Sequence, residues 1–345
     1  LREADGLGPL YTRTSCVACH EDDARGPGLV QKMSVVEADG HTPAADQSKL
    51  PFGHTVHPLV AGGGKTPIVA PDDPSVKVSL RVGPPVLGRG YLEAILDSEI
   101  LRMQSEQSKR TDGIKGRVNL VTHASVFNAS DKVHQTRPGE RVIGRFGVKA
   151  RIGFLDDFVA DALQNDMGIT SPLRPNEIPN PDGLLDDRKP GVDLSVESLE
   201  ARADYMRMLA IPRRKVLPAR GAELFASTKC AVCHAPSLAT RPDYPIRALA
   251  GIQAPVFTDM LLHDLGDALS DGLPAGQDGE ATARDFRTAP LIGLRFFANF
   301  LHDSRAHSVL EAIQLHGGEA SGSVAAFTSL SPEDRATLLA WVEAL

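Results

Sequence analysis

Two copies of one five-residue pattern carry the most distinctive chemistry in this chain: Cys16-Val17-Ala18-Cys19-His20 and Cys230-Ala231-Val232-Cys233-His234. Two thiols three positions apart can reach the two vinyl groups on one porphyrin edge while the adjoining imidazole reaches the iron. Each copy therefore reads as a c-type haem attachment site. The plainer alternatives are a zinc half-site and a redox dithiol. Both copies are complete and together they use all four cysteines, which favours two covalently attached haem c groups. On this reading Cys16, Cys19, Cys230 and Cys233 form the thioethers, and His20 and His234 are the proximal iron ligands.

The opposite face of each iron decides what the haem can do. An open or labile position admits peroxide or another small ligand, whereas a firmly held second ligand restricts the group to electron transfer. For the second haem the leading candidate is His316. Val309, Ala312, Ile313 and His316 fall on one helical face and Gly317 ends the helix. An imidazole on that apolar face needs a polar partner, and iron would satisfy it; the alternative is a cap that bonds a carbonyl. His263 and His302 compete, each preceding an aspartate that would fix its tautomer, and Met260 beside Leu261 and Leu262 reads as core more readily than as a thioether ligand. For the first haem the candidates are His54 and His57 in Pro51–Pro58, either as iron ligands or as solvated loop histidines. His41, His123 and His134 sit in polar surroundings and receive no role.

The elements that must position these groups follow from periodicity. Gly8-Pro9-Leu10-Tyr11 and Gly221-Ala222-Glu223-Leu224-Phe225 each place a small residue and then large apolar ones about a helical turn before the cysteines, as in the helix that packs beneath the haem of small cytochromes c. In the C-terminal stretch a Ser331 cap, Pro332 and early acids open a helix whose Leu338, Leu339, Trp341, Val342 and Leu345 form an apolar face. Residues 36–74 are rich in Gly, Pro and polar side chains and read as a long loop able to wrap a cofactor. Further helices are expected around 91–96, 155–163 and 198–209. Strand signals are few. The expectation is a mainly α protein with two cytochrome c-like haem domains, residues 1–215 and 216–345, and long irregular loops.

At 345 residues, with 42 % hydrophobic and 23 % charged side chains, the composition is that of a globular chain of two domains. Only 5 % is aromatic, so two buried porphyrins would supply part of the apolar filling. A net charge of −7 with no basic run argues against nucleic acid as a partner. No stretch approaches the ~20 apolar residues of a transmembrane helix. The chain opens on Leu1 without an apolar leader, which fits an exported protein whose signal has been removed. Because c-type haem is attached outside the bacterial cytoplasm, a periplasmic location is expected.

Two Cys-x-x-Cys-His sites occur here with Gly144-Arg145-Phe146-Gly147-Val148-Lys149-Ala150 and Asn165-Asp166-Met167-Gly168-Ile169-Thr170-Ser171-Pro172. They are followed by Leu262-His263-Asp264-Leu265-Gly266, Leu301-His302-Asp303-Ser304-Arg305-Ala306 and His316-Gly317-Gly318-Glu319-Ala320. In this combination and order the chain resembles the bacterial di-haem oxidoreductases, often labelled thiol oxidoreductases and distantly related to di-haem cytochrome c peroxidase and MauG. The resemblance implies a periplasmic, mostly helical protein with one haem per domain. It also implies peroxidase-like chemistry in which a second, electron-transfer haem exchanges electrons with a first, reactive haem. A small-molecule oxidant or substrate and a redox protein would be its partners.

In those relatives a mobile loop ligand gates the reactive haem, the part His54 or His57 would play, and a Met or Tyr stands near the position of His316, where histidine would give bis-histidine coordination. A carboxylate early in a helix moves the proton in peroxide cleavage. The matching positions are Asp156 and Asp157, with Arg145 or Lys149 contacting a haem propionate or a bound anion; the alternative is that the two aspartates only favour their helix N-terminus. The relatives place a Trp between the haems, whereas the one Trp here is Trp341 in the last helix. Their acidic calcium loop corresponds to Lys109–Asn119, too basic to support a calcium site. The rival reading is a non-catalytic di-haem electron-transfer protein or a haem subunit of a larger complex.

Overall fold

The segment before the first cysteine pair is extended, not helical. In the computed structural model, which describes residues 7–20, 29–126, 132–186, 190–214 and 218–345, Leu10–Tyr11 form strand β1. The alternating run Leu29–Val35 forms β2, Leu59–Val60 form β3 and Val76–Val82 form β4. β1 pairs with β3, and β2 with β4 from Leu29 opposite Val82 to Val35 opposite Val76, both antiparallel. Residues 36–74 are thus the long connection of a hairpin, and part of it is pinned to the strand leading into Cys16. In β4 the alternation runs against simple patterning. Arg81 is buried while Val78 is 43 % exposed, because the Arg81 guanidinium donates to Asp271 at 2.9 Å and to Asp278 at 2.7 Å.

The middle of the chain supplies α1 (Arg89–Ala94), α2 (Asp97–Ser108), the antiparallel pair β5 (Leu120–Thr122) and β6 (Arg141–Ile143), α3 (Leu155–Met167) and α4 (Val196–Met208). Leu92 and Leu155 from these helices, and Ile95 just after α1, share one apolar core with Leu238, Val256 and Ile292. That core draws on residues from both sides of the second cysteine pair.

After residue 217 come α5 (Ala219–Ser227), the short α6 (Cys230–Cys233), and the antiparallel pairs β7 (Leu238–Ala239) with β8 (Gln253–Ala254) and β9 (Leu262–Asp264) with β10 (Asp285–Arg287). The chain closes with α7 (Val309–Gln314), α8 (Ser321–Thr328) and α9 (Pro332–Glu343). Ser308 and Ser331 cap α7 and α9 by accepting from Glu311 N and Asp334 N, both at 3.1 Å. α5 and α9 pack face to face, with Leu224, Phe225, Leu338 and Val342 in one cluster. Gly221 permits this: a Cβ there would lie 2.4 Å from Trp341.

The mainly α expectation is overturned. Helix accounts for 31 % and strand for 16 % of the described residues, and the strands form separate two-stranded pairs. Most of these strands are two or three residues long, too short to show an alternating pattern. They satisfy backbone groups where the chain runs between helices.

Candidate functional site

The second pattern sits on α6, directly after α5, and opens onto a large cavity. Cys230, Cys233 and His234 line it together with Val309, Ala312, Ile313 and His316, and it holds about 1710 Å³ of unfilled space, mouth included. His234 Nδ1 donates to the Phe257 carbonyl at 3.2 Å and His316 Nδ1 to the Ala312 carbonyl at 2.5 Å. Both rings therefore keep Nε2 as an unprotonated donor atom. Burial, and then the neighbouring His316, push the His234 pKa down to about 4, and burial lowers that of His316. Two neutral imidazoles oriented through Nδ1 in one cavity are the form in which histidine binds a metal. The carbonyl bond expected of a capping His316 is present, and it leaves the other ring nitrogen available.

The rival ligands have other partners, although His263 and His302 also line the cavity. Met260 is wholly buried in the core shared with Leu92 and Leu155. His302 lines the cavity but stacks on Phe286 with ring centroids 4.0 Å apart. His263 lies between Asp259, at 2.9 Å, and Glu319, at 2.7 Å. Burial opposes its charge, but Asp259 and Glu319 raise its pKa well above the ordinary histidine value, so it is an imidazolium. Cys233, Asp259 and His263 place donor atoms within 4.8 Å of one another, a spacing a metal could use, yet a protonated His263 has no lone pair to offer.

The first pattern forms a tighter, barer turn. Cys16–Ala18 is a single 3₁₀ turn, with Cys16 exposed and Cys19 buried. The local geometry of the two patterns nonetheless matches: His20 N bonds Cys16 O at 2.8 Å and His234 N bonds Cys230 O at 2.9 Å. The His20 ring packs on Gly83, where a Cβ would come within 3.2 Å of its Cε1 and 2.9 Å of the Cys19 carbonyl. Val82, Pro84 and Pro85, on either side of Gly83, line the second cavity. One four-residue segment thus separates the two patterns.

Charged groups dominate near the first pattern. The Cys19 thiol is pushed up to about 11 by burial and then by Asp166, and burial likewise raises Cys230 and Cys233. Protonated thiols are the opposite of what a reactive dithiol needs. His57 is buried, its Nδ1 has no partner among the described residues, and burial, then Lys32, bring its pKa down to about 4. His54 Nδ1 donates to the Met33 carbonyl at 3.0 Å.

The remaining predicted residues lie outside the cavity. Asp156 accepts from His134 at 3.1 Å, and Asp157 from Ser125 and Arg174, each at 2.7 Å, with His123 at 3.6 Å. His123 and His134, to which the sequence assigned nothing, are thus the buried partners of the two aspartates. Arg145 donates to the Leu92 carbonyl and to Asp97. Lys149 donates to Asp271 and the Thr282 carbonyl, with its ammonium 4.6 Å from the centre of the Phe286 ring. Two arginines that the sequence reading passed over, Arg89 and Arg287, do line the cavity.

Residues 69–345 match the family model described as "Di-haem oxidoreductase, putative peroxidase". The chain belongs to the di-haem oxidoreductase family. Among solved structures, hydrazine synthase of Kuenenia stuttgartiensis is similar at 14 % identity and a TM-score of 0.40, over 99 % of this chain and 85 % of that one. A MauG-like protein associated with microbial copper homeostasis is similar at 14 % identity and a TM-score of 0.35, over 75 % and 88 % of the two chains. No curated protein matches in sequence.

As a di-haem oxidoreductase the chain should offer a haem-shaped setting at each pattern, and at the second the residues fit. The apolar walls, two thiols on one edge, two neutral imidazoles and an unpartnered Arg89 Nη2 are the donor set of a haem with charged side chains at its margin. The one weak sequence signal for Arg89 is its place in the first turn of α1, where a cation opposes the helix dipole and needs another reason to be there.

Proposed function

We propose that this di-haem oxidoreductase is a periplasmic c-type cytochrome with peroxidase-like activity. Cys16 and Cys19, and Cys230 and Cys233, would hold the haems covalently, with His20 and His234 as proximal ligands. His316 would be the distal ligand of the second haem. The observation that carries this is the pair of neutral, Nδ1-anchored imidazoles His234 and His316 in one apolar cavity beside two protonated thiols. Bound haem supplies a one-electron iron couple at each site.

The chain's own residues do the rest. The carbonyls of Phe257 and Ala312 hold the two imidazoles in the ligating tautomer, which suits the second site to electron transfer. Gly83 keeps the Val82–Pro85 segment against His20, and because Val82, Pro84 and Pro85 also line the second cavity, this segment would link the two sites. The first site would be the reactive one, with neutral His57 in the connection that packs on β1, and a redox protein would exchange electrons near the second. A second reading, that of a non-catalytic electron carrier or subunit, draws support from Asp156 and Asp157, whose oxygens are committed to histidine and arginine partners and not to a substrate cavity.

Denatured protein should retain haem stain and exceed the bare chain by the mass of two haems; bare polypeptide from a haem-maturing host overturns the proposal. Low-temperature EPR with and without peroxide separates the two readings. A high-spin signal that responds to peroxide supports catalysis, and two unresponsive low-spin signals support the carrier.

A further inference from the structure

The second cavity holds two cations that no described carboxylate touches. Arg89 is 3 % and Arg287 is 7 % exposed, and both line the cavity. Arg89 Nε donates to the Pro85 carbonyl at 2.5 Å, and its Nη2 has no partner. Arg287 donates to the carbonyls of Gly147 and Thr288 at 3.2 and 2.9 Å. Among the described residues no carboxylate lies within ion-pair distance of either. The contrast within the molecule is sharp, because Arg81 and Arg207, equally buried, each meet carboxylates at 2.7 to 2.9 Å.

Burying a guanidinium without an anion costs several kcal/mol. The molecule bears that cost twice in one place, and the two charges act on each other. Burial and then Arg287 push the Arg89 pKa down to about 9, and burial, opposed by Asp259, pushes that of Arg287 down to about 10. Such a pair favours an occupant of the cavity that brings negative charge, and planar guanidinium forks match carboxylates bidentately.

We propose that Arg89 and Arg287 form a two-guanidinium clamp for the carboxylates of the group held by Cys230, Cys233 and His234; this rests on the reading of that group as a haem, whose propionates are its only anions. The orphaned Nη2 of Arg89 and the free edge of Arg287 are where those carboxylates bind. The clamp also ties the second haem to the segment that packs on His20, since Arg89 is anchored on Pro85. Arg145 and Lys149, already held by Asp97 and Asp271, are not part of it.

The test is Arg89→Gln and Arg287→Gln in the mature holoprotein, read by haem content, by spectroelectrochemical potential against pH and by the propionate bending bands of resonance Raman spectra. Haem content should stay at two per chain, because the thioethers are untouched. The reduction equilibrium of one haem should shift roughly tenfold toward the oxidised form, the order expected for one charge lost at an effective dielectric of about 20. It should also become pH-dependent near neutrality as the released carboxylate takes up protons, while the other haem stays unchanged. Should a Gln variant fail to mature, Arg89→Lys and Arg287→Lys keep the charge but break the fork, and the propionate bands should move.

Two bound haems with unmoved potentials and unmoved propionate bands overturn the clamp and leave the haem reading standing. Fewer than two haems in the unaltered protein overturns the haem reading itself and the clamp with it.

Discussion

The same five residues sit in two unlike settings. At the second pattern, Cys230, Cys233, His234 and His316 line one apolar cavity beside the packed helices α5 and α9. At the first, a single turn with Cys16 exposed follows a two-residue strand, and Asp166, which acts on Cys19, belongs with Asp161, Lys32 and Arg151 to a buried and half-buried charge network that reaches Arg81 and Asp278. The local turn is alike in both, so the pattern itself determines how thiols and imidazole are displayed. The surroundings determine what that display can do. On the proposed reading, the apolar cavity with its two neutral histidines would serve the electron-transfer haem and the charged surroundings the reactive one.

The largest test of the comparison is removal of each cysteine pair. Cys230→Ser with Cys233→Ser should leave one haem per chain, and so should Cys16→Ser with Cys19→Ser. Only the former should also lower thermal stability strongly, since it empties a large apolar cavity. Equal thermal losses would mean that the two settings are more alike than their walls suggest.

Next in size is His316→Ala, which should convert one low-spin haem to high-spin in EPR and raise its potential, because a donor to ferric iron is lost. His57→Ala should leave that haem untouched and alter only the other.

Asp278→Asn tests the charged wall of the first region. Burial opposes ionisation of Asp278, but Arg81, and then Arg151, hold its carboxyl well below the usual carboxylate range. Its contribution is therefore complete above the unfolded value of about 4 and disappears as pH falls toward the lowered folded value. Loss of this buried partner should cost about 3 kcal/mol in urea unfolding at neutral pH, and the deficit should shrink below about pH 4. The smallest effect is that of Gly221→Ala, which pushes a methyl group into Trp341 and should cost about 2 kcal/mol, with both haems retained.

Legibility in the sequence divides along the same line. The second region could be read closely: the Ser308 and Ser331 caps, the α5 and α9 faces and the position of His316 all rest on patterns within ten or so residues. The first region could not. β1 is two residues long, so Leu10-Tyr11 looked like the start of a helix, and β4 buries Arg81 instead of Val78, which hides its face from any hydrophobic pattern. The alternation Val76, Val78, Leu80, Val82 was nonetheless a usable strand signal. Arg89 and Arg287 lie 198 positions apart in the chain, and His123 and His134 gain meaning only beside Asp157 and Asp156. Such groupings are made by tertiary packing and leave no local trace.

Trp341 has a consequence of another kind. It is the only indole in the chain, it lies 5.0 Å from the ring of Phe225, and Phe225 is part of the cavity wall. A porphyrin in that cavity would absorb at the wavelengths where the indole emits and would take up its excitation almost completely. The indole fluorescence would therefore report haem loading, and would be darkest when the second site, whose wall the indole packs behind, is filled.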